Sequence, residues 1–295
     1  MSDGDRAEQD TGLLARAPSA GLVVGAIASA QFGSALAATL FGQIGPGGAV
    51  FLRLLAAAIV LTALRRPSIR GRSRQDLLLA AIFGLVLGAM NLSFYEALHR
   101  IPLGIAVAVE FVGPLAVALA GSRRRADLVS VVLAAAGILA LTHGASHGLN
   151  PFGLALALLA GCLWGTYIVL NGRLGQAFEG STGLALAMCI ASAAMLPFGI
   201  ANGGPHLLAP RSLALGAAVG VLSSAIPYSF EIEALRRIAI PVFGVLMSLE
   251  PAMAALAGLL VLGQGLSARA LLGIALIVVA SVAASRRATE PPVAV

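Results

Sequence analysis

Ten stretches of this chain are each long enough to cross the hydrocarbon core of a bilayer and nearly free of charge, which leaves few ways to fold. They lie at 20–41, 47–64, 76–96, 101–121, 127–143, 151–170, 182–200, 212–230, 239–262 and 268–285. A helix needs roughly 17–25 apolar residues to span a membrane, and within lipid only a helix or a closed barrel pairs every backbone N–H and C=O. A barrel strand would alternate in polarity over about ten residues; these runs are longer and apolar on all sides. Charged residues make up 11% of the chain and hydrophobic ones 59%, against roughly 25% charged in soluble domains. Spans and short connections use up nearly all 295 residues, so no soluble domain is expected. The expected fold class is an all-α integral membrane protein with ten transmembrane helices.

The runs are rich in Ala and Gly, which let helices approach closely in lipid. GLVVG (21–25), GLVLG (84–88) and GAAVG (216–220) have the small-xxx-small pattern. We read them as packing faces within the chain, with a homodimer contact as the alternative. Cys162 and Cys189 fall inside spans without CxxC spacing and read as buried free thiols. The first residues carry Asp3, Asp5, Glu8 and Asp10, the wrong charge for a signal peptide, and read as a disordered tail.

All 19 basic residues are arginines. With the N-terminus in the cytoplasm, fifteen fall on that side: Arg6, Arg16, Arg65, Arg66, Arg70, Arg72, Arg74, Arg123, Arg124, Arg125, Arg173, Arg236, Arg237, Arg286 and Arg287. Only Arg100, Arg211 and Arg269 fall outside, and Arg53 lies within a span. The positive-inside rule then places both termini in the cytoplasm. The basic balance is thus a topology signal and gives no reason to expect nucleic acid as a partner.

A repeat is visible in the middle of each half. EALHRIPLGIAVAVEFVGPLAVAL from Glu96 and EALRRIAIPVFGVLMSLEPAMAAL from Glu233 align without gaps at a shift of 137, and Pro114 falls on Pro251. Five spans per half reverse the second copy, so the expected architecture is two inverted five-helix repeats, at 20–143 and 151–287, between tails at 1–19 and 288–295. Inverted repeats point to a carrier with its site near the midplane. Each proline removes the hydrogen bond to the carbonyl four residues earlier, that of Glu110 and of Met247. A freed carbonyl in lipid must be re-satisfied by protein or line a wet cavity. Glu110 and Glu250 sit at these same points, and a carboxylate deep in a span marks an ion or substrate path. The bland alternative is a permanent structural pair, with Arg53 as the counter-ion.

The stretches ASAQFGSALAATLF (28–41), PLGIAVAVEFVGPLAVAL (102–119), SSAIPYSFEIEAL (223–235) and GVLMSLEPAMAALAGLLVLG (244–263) resemble the EamA-type branch of the drug/metabolite transporter superfamily. LRL around Arg53 and CLWGTYIV in the sixth span match as well, and the likeness runs from about Ala20 to Arg287. The resemblance implies a central cavity lined by spans 1, 3, 4, 6, 8 and 9. It favours Gln31, Asn91, Tyr95, Glu110, Trp164, Tyr167, Tyr228, Glu231 and Glu250 as substrate- or proton-binding residues, with Arg53 beside them. Asn91 and Tyr95 are four apart and Trp164 and Tyr167 three apart, so each pair shares a helix face. Aromatic pairs of this kind suit a cavity wall and a packed core equally well.

The chain departs from the family at Gly263-Gln264, where Gly-Glu is usual, and Glu96 and Glu233 read as solvated charges at span ends. His143 and His147 are four apart, but the glycines of HGASHG, at 144 and 148, spoil a helical metal pair, so no metal is expected. No P-loop, ATP-binding domain or catalytic triad is present in the sequence, so neither a cofactor nor enzyme activity is expected. What the resemblance implies is secondary export of small amino acids, threonine and homoserine or close analogues, coupled to protons across a bacterial inner membrane. The alternatives are efflux of another metabolite or a cationic drug, and a membrane protein without transport activity.

Overall fold

The computed structural model describes residues 19–65, 67, 71–120, 125–143, 149–178, 182–235, 237 and 240–287. The helices, in chain order, are α1 (Ser19–Ala38), α2 (Phe41–Arg65), α3 (Arg74–Leu98), α4 (Leu103–Glu110), α5 (Val112–Ala120), α6 (Arg125–His143) and α7 (Pro151–Ala177). There follow α8 (Thr182–Gly203), α9 (Pro210–Gly220), α10 (Ile226–Leu235), α11 (Ile240–Met247), α12 (Glu250–Leu262) and α13 (Ala268–Arg287). No strand occurs among the described residues. Residues 1–18 and 288–295, Arg66, Arg70, Arg123, Arg124, Arg236, His147 and the side chain of Tyr228 lie outside the described residues.

Six segments are long and apolar enough to cross a membrane: Ser19–Ala38, Phe41–Leu64, Arg74–Leu98, Pro151–Ala177, Thr182–Leu208 and Val242–Leu262. Of the other expected spans, α6 and α13 are continuous helices with shorter apolar segments, Val129–Ala140 and Ala268–Ala283, while the fourth and eighth are interrupted, with local causes. Polarity is inverted relative to a soluble protein. Leu64, Leu78, Phe152 and Leu260 are more than half exposed, while Gln31, Asn91, Glu110 and Glu250 are buried. Exposed apolar surface on that scale belongs against lipid.

Local sequence sets the helix ends. Ser73 and Asp76 form a capping box at the start of α3, with the Asp76 N–H donating to Ser73 Oγ at 3.1 Å. Asn150 Oδ1 accepts from the N–H of Gly153 at 3.0 Å, with Pro151 in the first turn of α7. Within α2, Gly45 takes φ 65° ahead of Pro46, a left-handed turn that favours glycine. There Asn202 from α8 accepts from the Gly47 N–H at 3.0 Å.

The two predicted proline breaks fall at matched places. α4 ends at Glu110, Phe111 makes the turn, and α5 carries Pro114 in its first turn; α11 ends at Met247 and α12 begins at Glu250 with Pro251. The shift of 137 that aligns the prolines also aligns Phe111 with Ser248. It further aligns two ion pairs, Glu96 with Arg100 and Glu233 with Arg237, one turn apart on α3 and at the end of α10. These glutamates were expected to be solvated, and this is corrected: both are about three-quarters buried and paired, because the Glu-x-x-x-Arg spacing puts the guanidinium on the same helix face.

The cysteine expectation is also corrected. Cys162 is exposed and Cys189 half-buried, because an apolar helix in lipid need not bury every face. The paired glycines pack within the chain. A Cβ on Gly84 would lie 2.6 Å from the Ala187 carbonyl, one on Gly216 2.7 Å from Leu52, and one on Gly220 2.6 Å from Ala56.

Buried side chains are distributed unevenly along the bundle. At the end holding Phe41, Leu98, Ile101, Leu103 and Leu207, one continuous core joins most helices. Toward the opposite end it divides. Ala80, Phe83, Leu174, Phe178 and Ala187 form a group from α3, α7 and α8, while Leu22, Val23, Ile27 and Ala234 form another from α1 and α10. Arg72 ties the first group to the α2–α3 connection: it donates to the Ala177 carbonyl at 3.2 Å and lies over the Phe178 ring.

Candidate functional site

Where the single core gives way to these groups lies a cavity of about 250 Å³. Eight of the residues singled out in the sequence line it: Gln31, Arg53, Asn91, Glu110, Trp164, Tyr167, Glu231 and Glu250. Tyr95 does not; it is wholly buried behind Arg53, with its hydroxyl accepting from Arg53 Nη1 at 3.2 Å. The expected lining from spans 1, 3, 4, 6, 8 and 9 is present, and α2 and α8 add Leu54 and Met188 besides Arg53.

The helix breaks deliver the acidic groups. Glu110 is the last residue of α4 and Glu250 the first of α12, so each carboxyl leaves the chain where the helical ladder is interrupted. A third proline, at the start of α10, interrupts the ladder without placing a carboxyl at the break. Pro227 cannot bond the carbonyl of Ser223, four residues earlier, and the chain widens into a π-helical turn over Val221–Ala225, with the Ile226 N–H reaching back to Val221. π-turns are frequent at functional sites. Glu110, Ser223 and Met247, the three residues whose carbonyls these prolines free, all line the cavity. Sequence reasoning missed Ser223; its signal is the Pro227 four positions on in SSAIP.

The freed carbonyls are treated differently. That of Ser223 accepts from Arg53 Nη2 at 3.5 Å. That of Glu110 is pressed against α7, where a Cβ on Gly161 would come within 2.6 Å of it. The close approach is mutual, since a Cβ on Gly113 would lie 1.8 Å from the Gly161 carbonyl oxygen. The break is thereby seated against α7 just above Trp164, whose ring meets Phe111 edge-on at 5.5 Å. Tyr167 packs beside Phe83 at 4.9 Å, so the two aromatics are both cavity wall and packed core.

Polar partners inside are few. Gln31 Nε2 donates to Glu250 Oε1 at 3.3 Å, and Asn91 Nδ2 donates to the Leu87 carbonyl at 2.9 Å. Gln31 Oε1, Glu250 Oε2 and Arg53 Nε are buried without partners. Among the described residues, no ion pair joins Arg53 to any of the three cavity glutamates. Three carboxyls and one guanidinium therefore share a small, largely unsatisfied chamber. Among the described residues no cluster of His, Cys, Asp and Glu is arranged to hold a metal.

Gln264, where the family pattern has an acid, lies away from this chamber. Its Oε1 accepts from the Leu103 N–H at 2.9 Å and so caps α4, whose own N-cap, Pro102, offers no side-chain acceptor.

Comparison with known proteins places the chain among membrane transporters. The model of the EamA-like transporter family matches residues 151–286. The threonine/homoserine exporter RhtA of Salmonella typhimurium (strain SL1344) is 41% identical over 270 residues, covering 90% of this chain and 91% of that protein. The threonine/homoserine exporter RhtA of Escherichia coli (strain K12) is 42% identical over 259 residues, covering 87% of each. A protein of known crystal structure shares the fold, with a TM-score of 0.62 at 21% identity over 92% of this chain and 99% of its own.

Proposed function

The chain belongs to the EamA-like transporter family, and on that footing we propose that it exports small amino acids of the threonine and homoserine type by secondary active transport coupled to protons. It is a multi-pass membrane protein and a transporter, not an enzyme. In this reading ten spans cross a bacterial inner membrane as two inverted five-helix repeats, 20–143 and 151–287, with both termini in the cytoplasm. The matched breaks at Phe111 and Ser248 and the matched pairs Glu96–Arg100 and Glu233–Arg237 support the repeat.

What carries the functional reading is the chamber at the breaks. It brings groups of both signs together in about 250 Å³, below the roughly 300–1,000 Å³ of drug-sized pockets. The relatives named as threonine/homoserine exporters supply the substrate class. Glu110 and Glu250 are the proposed proton-exchanging groups. A carboxyl that alternately faces an ammonium and loses it binds substrate and proton in competition, which is what exchange requires. Asn91, Trp164, Tyr167, Tyr228 and Glu231 complete the proposed lining.

The surplus of carboxyls over guanidinium favours a second reading, efflux of an organic cation. One experiment separates the two. Overexpression in a bacterial host should raise tolerance to toxic external threonine and homoserine and lower their internal pools, read by metabolite profiling of cells and medium. Tolerance that rises only for cationic dyes would assign the chain to drug efflux.

A further inference from the structure

Arg53 is the one cation lining the chamber among the described residues, and its hydrogen bonds hold it without a direct ion pair. Its Nη1 and Nη2 donate to the Tyr95 hydroxyl and the Ser223 carbonyl, both uncharged, and its Nε has no partner. The Tyr95 ring lies 5.6 Å from the guanidinium carbon. A guanidinium is a planar fork of five donors, suited to bidentate capture of a carboxylate. Here two of its nitrogens are spent on neutral acceptors, and among the described residues no carboxylate forms an ion pair with it, although the chamber's glutamates lie nearby. Unused acceptors stand elsewhere on the wall, at Gln31 Oε1 and Glu250 Oε2. An α-amino acid carries the complement of both sets, a carboxylate at one end and an ammonium with three donors beside it.

We infer that the chamber recognises its substrate as a zwitterion, with Arg53 taking the α-carboxylate and Gln31 with Glu250 taking the α-ammonium. Tyr95 is a positioning residue that aims Arg53 and does not touch the substrate. The inference rests on the amino-acid reading above and narrows it. Carboxyls alone would welcome any amine, whereas an Arg53 anchor discriminates against amines that lack a free carboxylate.

The test uses the full-length protein in liposomes, exchanging labelled threonine against unlabelled threonine, threoninamide, homoserine or homoserine lactone. For wild type, the amide and the lactone should compete at least about ten-fold more weakly than the amino acids, the scale of one lost charge-assisted pair. Arg53→Gln should raise the KM for threonine by a similar factor and leave amide competition nearly unchanged, so that discrimination collapses. Arg53→Lys, which keeps the charge and loses the fork, should fall between, and it decides the matter if Arg53→Gln does not fold. Tyr95→Phe should weaken the preference for amino acid over amide while leaving the maximal rate intact, a split that a purely structural tyrosine would not produce. Wild-type protein that moves threonine but accepts threoninamide equally well overturns the inference alone. So do folded Arg53 variants that keep the full preference. Wild-type protein that moves neither threonine nor homoserine overturns the amino-acid reading, and the inference falls with it.

Discussion

The seat of the α4–α5 break on α7 can be tested with a single methyl group. In Gly113→Ala the new Cβ would lie 1.8 Å from the Gly161 carbonyl oxygen and 2.5 Å from its carbon. Both obstacles are backbone, so no side chain can rotate away. To reach even a tight 3.0 Å contact, the two helices must part by about 1.2 Å or the turn at Phe111 must rotate. Overpacking of this kind costs about 1–3 kcal/mol, and at about 2–4 °C per kcal/mol in a chain this long the Tm should fall by several degrees. The movement also carries Glu110 away from its neighbours, and misplacing a positioned group by about 1 Å can cost up to about a hundred-fold in rate. Transport should therefore drop further than the loss of stability explains. The control is Gly172→Ala on the same α7, where a Cβ meets nothing within 4 Å. Thermal unfolding in detergent and threonine exchange in liposomes measure the two effects. A Gly113→Ala protein as stable and as active as Gly172→Ala would refute the backbone contact and the role assigned to it.

Glu110→Gln keeps shape and hydrogen-bonding capacity but cannot titrate; insertion and expression should be normal and pH-driven threonine efflux largely lost, with Glu250→Gln acting in the same direction less strongly. Full proton-coupled efflux by reconstituted Glu110→Gln would leave that residue a structural role only. Gln264→Ala removes the acceptor of the Leu103 N–H and should cost about 1 kcal/mol of stability, as lost helix caps do, whereas Gln264→Glu keeps an acceptor and should unfold near the wild-type temperature. Reporter fusions after Arg74 and Arg125 should read cytoplasmic and one at Ser146 periplasmic; a periplasmic reading at Arg125 would invert the topology.

Much of the site was legible because lipid makes exceptions conspicuous. In a run as apolar as 101–121, Glu110 and Pro114 stand out, and their spacing of four says which carbonyl is freed. The same logic applied to Pro227 would have found Ser223, but SSAIP is polar enough to pass for an ordinary span end. Tyr95 was harder. Its spacing from Asn91 is right for a shared face, yet the larger side chain reaches past the wall to Arg53, and spacing carries no depth. Gln264 was illegible in principle, since capping a helix 161 residues earlier leaves no local pattern. The cysteines failed for a different reason, because burial in a membrane span and exposure to lipid give the same apolar surroundings in sequence.

The core that is continuous at one end of the bundle and divided at the other has an electrical consequence. The continuous end, with Phe41, Leu98, Ile101, Leu103 and Leu207, is the layer that most resists an ion. A membrane potential falls chiefly across such a layer, where moving one elementary charge is worth about 2.3 kcal/mol per 100 mV. A zwitterion has no net charge, so voltage does no work on it there. A proton crossing in exchange feels the whole drop. In the proposed carrier the membrane potential therefore drives the proton, and the amino acid moves against its gradient only because it shares carboxyls with that proton.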